Sequence, residues 1–345
     1  MRLLAGAKRL VGAKTLAGAE RLLACTAVAL IAAGAAGAVT RYGGASDAGE
    51  LQLPGSALSL VAGPSAAGLV ADAPAVWDNP ARMGINGGAG AMATCALLPG
   101  GLSDSQIGGS ISMGEAGTFG AALRLVQATL TRTTEDGAGA YGGPSGSFSY
   151  QTFVGTGAWA PDLGDALGVP VRAGLSLTFV TRQVADETAS GGGGGAGIWV
   201  PCGSGIGGFA AVRNVGWTRA GVWPSEVVAG ASLEHVDLLV SGVIARASVA
   251  GVWSFRERGL AGSAGGEIGL GNETVGCALR AGYTMGTVRA VSAWPAGGLV
   301  VRIGTLAVEA GIGNLGDLGL ARIMTLSYRQ AAADTEPVSF GGVRY

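Results

Sequence analysis

The stretch VRAGLSLTFVTR, residues 171–182, decides how the rest of this chain is read. Val171, Ala173, Leu175, Leu177 and Phe179 occupy every second position, and Arg172, Gly174, Ser176, Thr178 and Arg182 fall on the alternate ones. Successive side chains of a strand point to opposite faces, so this is a strand with one greasy face and one wet face. CALRAGYTM at 277–285 repeats the pattern, with Cys277, Leu279, Ala281, Tyr283 and Met285 against Ala278, Arg280, Gly282 and Thr284. At 306–313, Leu306, Val308, Ala310 and Ile312 oppose Ala307, Glu309, Gly311 and Gly313.

About a dozen such segments run along the chain, of the length a tilted membrane strand needs. They lie near 90–99, 106–115, 118–131, 146–160, 170–184, 204–215, 226–236, 238–254, 264–270, 275–287, 298–304, 305–313 and 320–330. VSFGGVRY at 338–345 adds one more and makes the total even. Clusters of Gly, Pro, Asp and Asn separate them, as at Gly142 to Gly146 and Gly311 to Asp317, and the run Gly191 to Gly195 reads as a flexible loop. A soluble sandwich also alternates, but it covers its outer face with many charges, lysine included. Here the polar face is Gly, Ser, Thr and scattered Arg, which suits an all-β transmembrane antiparallel barrel with a wet or plugged interior.

Composition points the same way. Of 345 residues 65 are Gly, and only 13% are charged, about half the share of a soluble domain. The only lysines are Lys8 and Lys14, so a Walker A phosphate loop is excluded beyond them. Past residue 38 there are 17 Arg against 22 Asp and Glu, which argues against a nucleic-acid partner.

Residues 1–38 read as a signal peptide. Arg2, Lys8, Arg9, Lys14 and Arg21 precede an apolar run from Leu22 to Ala33, and Ala36-Gly37-Ala38 offers a small-x-small cleavage site. Later segments are too short for a helical span. Past the leader, Cys95, Cys202 and Cys277 are too scattered for a disulfide framework or a zinc site. No cofactor or metal is expected.

Residues 39–88 form an N-terminal segment ahead of the barrel at 89–345, and VADAPAVWDNPARM at 70–83 is its core. Asp72 can cap a short helix beginning near Ala73. Pro80 pushes Asn79 out of helical geometry and ends that turn. Trp77 supplies one large apolar anchor, which fits either a hatch pinned in the lumen or a leading turn packed on the first strand.

LQLPGSALSLVAGPSAAGLVADAPAVWDNPA, at 51–81, resembles the N-terminal signature of the PorV/PorQ family, and its Asn79-Pro80-Ala81 step is shared with FadL-type fatty-acid transporters. GFAAVRNVGW, WPSEVVAGASLE, GGEIGLGNETVGCALRAGY and GIGNLGDLGLARIMTLSY follow in the family's order. The family's Gly-Ala-Arg and Leu-Gly-Gly-Ala elements read here Gly55-Ser56-Ala57 and Val61-Ala62-Gly63. The resemblance implies a FadL-like outer-membrane barrel of about 14 strands. It implies one of two roles: carrying hydrophobic molecules such as a fatty acid through the wall, or receiving cargo as an accessory of type IX secretion. An exported β-domain of structural role is the third expectation.

The sequence does not point to an enzyme. His235 is the single histidine, and no nucleophile motif accompanies it and Asp237. Gly311-Ile312-Gly313-Asn314-Leu315-Gly316 matches a dinucleotide fingerprint literally, but too little chain follows for that domain, so it reads as a strand end and turn. On the wet faces Arg172, Arg182, Arg280 and Arg302 are placed either to hold an acidic head group or to pair with lumen carboxylates such as Glu309.

Overall fold

The structure, a computed structural model, describes residues 49–330 apart from 136–140, 165–167, 204, 220, 238–242, 256–257, 272–274, 287–294 and 316–318. The proposed leader, residues 39–48 and VSFGGVRY lie outside the described residues. Fourteen antiparallel strands form a closed barrel, each paired with its sequence neighbour, and β1 closes on β14. They are β1 (Ala89–Leu97), β2 (Ser103–Ser112), β3 (Thr118–Glu135), β4 (Tyr141–Ala160), β5 (Arg172–Val184), β6 (Glu187–Gly203) and β7 (Ile206–Thr218). The second half holds β8 (Glu226–Asp237), β9 (Val243–Ser254), β10 (Gly259–Gly271), β11 (Val275–Gly286), β12 (Ala296–Ile303), β13 (Leu306–Asn314) and β14 (Leu320–Gln330).

Alternation sorts the two faces. On β5, Leu175, Leu177 and Phe179 are exposed on the outside, and Leu177 is 78% accessible. Gly174 and Val180 are buried on the inward parity, and Thr178 joins Thr156 of β4 through their hydroxyls at 2.9 Å. On β11 the same holds for Leu279, Tyr283 and Met285 outside and Arg280 and Thr284 inside. A wall that is apolar outward and hydrogen-bonded within its own ladder is what hydrocarbon requires.

β6 differs from the sequence expectation. Gly191 to Gly195 is no loop but the middle of β6, laddered to Ser176–Val180 of β5 and to β7: Gly192 opposes Phe179 on one side and Trp217 on the other. Both neighbours present unpaired backbone groups, and filling that gap outweighs the poor strand propensity of glycine. Gly142 to Gly146 likewise belongs to β4, at a stretch with register shifts against β3. The Gly311–Gly316 run begins inside β13 and leaves it after Asn314.

Two short helices, Ala57–Ala62 and Ala75–Asp78, and 3-10 turns at Gly63–Gly68 and Pro80–Arg82 make up a compact inner segment. Ala57–Ala62 packs on β10 to β14, Gly63–Gly68 on β7 to β11, and Pro80–Arg82 on β4 to β6. The segment therefore lies across the lumen rather than ahead of β1.

The register gives a direct expectation. Leu177→Arg should cost about 2–4 kcal/mol in a refolding titration into lipid, and Leu177→Ile close to nothing. Equal stability of the two variants would place Leu177 away from hydrocarbon.

Candidate functional site: the filled lumen

Local chemistry shapes the inner segment. Ser56 is extended and its hydroxyl accepts from Ser59 N at 3.1 Å, capping the first helix. Ser59 Oγ then donates to Asp78 Oδ2 at 2.6 Å, tying the two helices together. Asn79 is extended, with φ −158°, and its Oδ1 accepts from Ala81 N at 3.2 Å, so the second helix stops where Pro80 requires. Asp72 is not the cap of that helix. Its φ is 58°, and its carboxylate is held instead by Asn86 at 2.9 Å and by Arg329 of β14 at 2.8 Å.

Contact with the wall is made where the wall has no side chain. A Cβ on Gly197 of β6 would overlap Asn79 Oδ1, and one on Gly174 of β5 would overlap the Pro80–Ala81 peptide. A Cβ on Gly282 of β11 would strike the Val61 carbonyl. Inward glycines thus let the inner backbone lie directly on the strands.

Side chains complete the attachment. Ala57 N donates to Thr325 Oγ1 of β14 at 3.0 Å, and Ser65 N to Ser263 Oγ of β10 at 2.8 Å. Asn79 Nδ2 donates to Ala67 O at 3.2 Å and to Ile198 O of β6 at 3.3 Å. Trp77 is half-buried beside Val154, Val180 and Trp223, and the Arg124 guanidinium stands 4.8 Å from its ring centre.

Three arginines that the sequence reading passed over carry the charge. Arg82, fully buried, grips Glu234 of β8 through both terminal nitrogens at 2.7 and 2.9 Å, donates to Val70 O at 2.9 Å and lies over Trp199. Arg124 of β3 donates to the carbonyls of Glu50, Leu53 and Pro54 at 2.9 to 3.1 Å. Arg213 of β7 bridges Asp78 at 3.3 Å and Glu226 of β8 at 2.8 Å, and Gln52 also donates to Glu226 at 2.7 Å. Arg82 had a signal: it is the single charge between Asp78 and Asp104.

Of the expected lumen arginines, Arg280 is brought together with Glu309, at 2.6 Å, and with Glu267, also at 2.6 Å. Arg172 faces Asp162 at 3.5 Å near the barrel end. Arg182 lies ten residues further along β5, on the same parity. Arg302 shares the inward parity of Val300 but is exposed beside the turn before β13. Arg302 lies within electrostatic reach of Glu267 and Glu309 of the Arg280 group, whereas Arg172 pairs with Asp162 instead. His235 and Asp237 close β8, and their side chains lie outside the described residues.

No family model and no curated protein matches this chain. Among solved structures it resembles the TodX deltaS2S3 mutant monoaromatic hydrocarbon channel, with a TM-score of 0.54 and 10% identity over 80% of this chain and 99% of that one. It also aligns with the P. putida toluene transporter TodX, with a TM-score of 0.49 and 10% identity over 80% and 99% of the two chains. The likeness is one of fold: the chain has the architecture of an outer-membrane β-barrel.

Asp78 provides a handle on the inner segment. Burial raises its pKa, and nearby Glu226 adds to that, against the opposing pull of Arg213, the Ser59 hydroxyl and Arg124. A carboxyl with a raised docked pKa favours docking fully below the ordinary carboxylate range, and that contribution is lost as pH rises through the raised value. Protease protection of residues 49–83 should therefore weaken as pH climbs from about 4 through that window. Asp78→Asn should flatten the dependence while gel migration still reports a folded barrel. An unchanged slope in Asp78→Asn would assign the effect to another group.

Proposed function

We propose that this chain passes small hydrophobic molecules passively across the outer membrane, as a FadL-like barrel related to the PorV/PorQ group, with residues 49–83 acting as its hatch. The export reading, with residues 1–38 removed near Ala38, belongs to the same proposal. One observation carries it. Among the described residues, every hydrogen bond that joins residues 49–83 to a strand has a side chain on at least one end, and none is part of the β ladder. The fourteen-strand ladder closes without the segment. Displacement of the hatch costs side-chain contacts and packing only, so the path through the barrel can open while the barrel stays whole.

Within that reading Trp77, Asn79, Pro80 and Ala81 hold the hatch against β3 to β6. The Arg280–Glu309 pair serves the wall and is not available to a ligand carboxylate. The apolar outer surface supplies the contact with outer-membrane lipid.

The test is entry of a small apolar solute into vesicles with a lipopolysaccharide outer leaflet. The wild-type barrel should speed entry over protein-free vesicles. Trp77→Ala, losing about 3 kcal/mol of packing, should stay folded and become leaky to small sugars as well. Entry no faster than in protein-free vesicles would overturn the transport reading. Unchanged sugar leakage in a folded Trp77→Ala barrel would overturn the hatch.

A further inference from the structure

A cavity of about 70 Å³ lies between the inner segment and the wall. Leu53, Leu60 and Trp77 give it an apolar lining, and Asp78, Arg213 and Glu226 close its polar side. Among the described lining residues the one cation is shared: Arg213 reaches Asp78 at 3.3 Å and Glu226 at 2.8 Å. The polar side thus holds two carboxylates to one guanidinium. A further cation, Arg124, stands 4.8 Å from the Trp77 ring and faces a carboxylate of its own, Asp104, at 3.5 Å.

Two donors on its lining residues are unspent. Trp77 Nε1 and Arg213 Nε are buried with no hydrogen-bond partner, and both residues line it. A buried N–H without an acceptor is costly, and an acceptor brought by a ligand relieves that cost. Gln52 and Ser59, also in the lining, already spend a donor each, on Glu226 and Asp78.

We infer that this cavity binds an uncharged apolar solute carrying one acceptor oxygen, the small-ketone class, and turns away the carboxylate of a fatty acid. The acceptor oxygen meets the two free N–H groups, and the apolar chain meets Leu53 and Leu60. A carboxylate would bring a third negative charge beside Asp78 and Glu226, and like charges juxtaposed out of water are strongly disfavoured. The inference deepens the transport reading by naming the solute class that its lumen prefers.

The experiment is calorimetric titration of the detergent-solubilised full-length barrel with pentan-2-one, pentanoate and pentylamine. Binding is read without flux, so its outcome is separate from that of the vesicle uptake. Pentan-2-one should bind at least about tenfold more tightly than pentanoate, a difference of about 1.4 kcal/mol. Trp77→Phe keeps the ring and removes the N–H, and should weaken the ketone several-fold while leaving the weak pentanoate binding where it was. Glu226→Gln removes one negative charge and should narrow the gap between ketone and carboxylate. Pentanoate binding as well as the ketone, pentylamine binding most tightly of the three, or a folded Trp77→Phe barrel that binds the ketone unchanged would each overturn the assignment.

Discussion

Closure of the ladder between β1 and β14 is the constraint on which the rest depends. In hydrocarbon an open sheet edge is not tolerated, so the strands spend their backbone groups on one another. Nothing of that ladder is left for the inner segment, which must be held by shape and by side chains. Shape is supplied by the absence of side chains at Gly174, Gly197 and Gly282, where the inner backbone rests on the wall. The glycine content that looked merely unusual in the composition is thus partly a lining, cut to fit residues 57–82.

The charged contacts follow from the same enclosure. Arg82, Arg124 and Arg213 sit in a filled lumen, where an unpaired charge is expensive. Each is therefore given carboxylate or carbonyl partners, and each joins the inner segment to a different strand group. Such pairs contribute little net stability compared with an apolar filling, but they fix the position of what they join. Arg82, gripped by Glu234 through two parallel bonds, fixes the end of the Asn79-Pro80-Ala81 turn most strictly.

Much of this was legible in the residues. Period two over 171–182 and 277–285 gave the faces correctly, because lipid outside and packed contacts inside impose opposite chemistry on neighbouring positions. Asn79-Pro80 marked the end of a turn, since proline dictates the backbone before it. The strand through Gly191 to Gly195 was not legible, because five glycines carry no face and their structure is dictated by β5 and β7. Asp72 was misread as a cap because its partners, Asn86 and Arg329, are supplied by tertiary contact. The arginine contacts were hidden for the same reason: Arg82 meets Glu234 across 152 residues, and no local pattern announces such a pair.

Hydrogen exchange on Gly282→Ala tests the central claim most directly, because the added Cβ meets the Val61 carbonyl. Gly251→Ala is the control, since a Cβ there meets nothing within 4 Å. The account predicts that residues 57–82 lose protection in Gly282→Ala while the strands keep theirs, and that Gly251→Ala matches the wild type. Full protection of residues 57–82 in a folded Gly282→Ala barrel would contradict it.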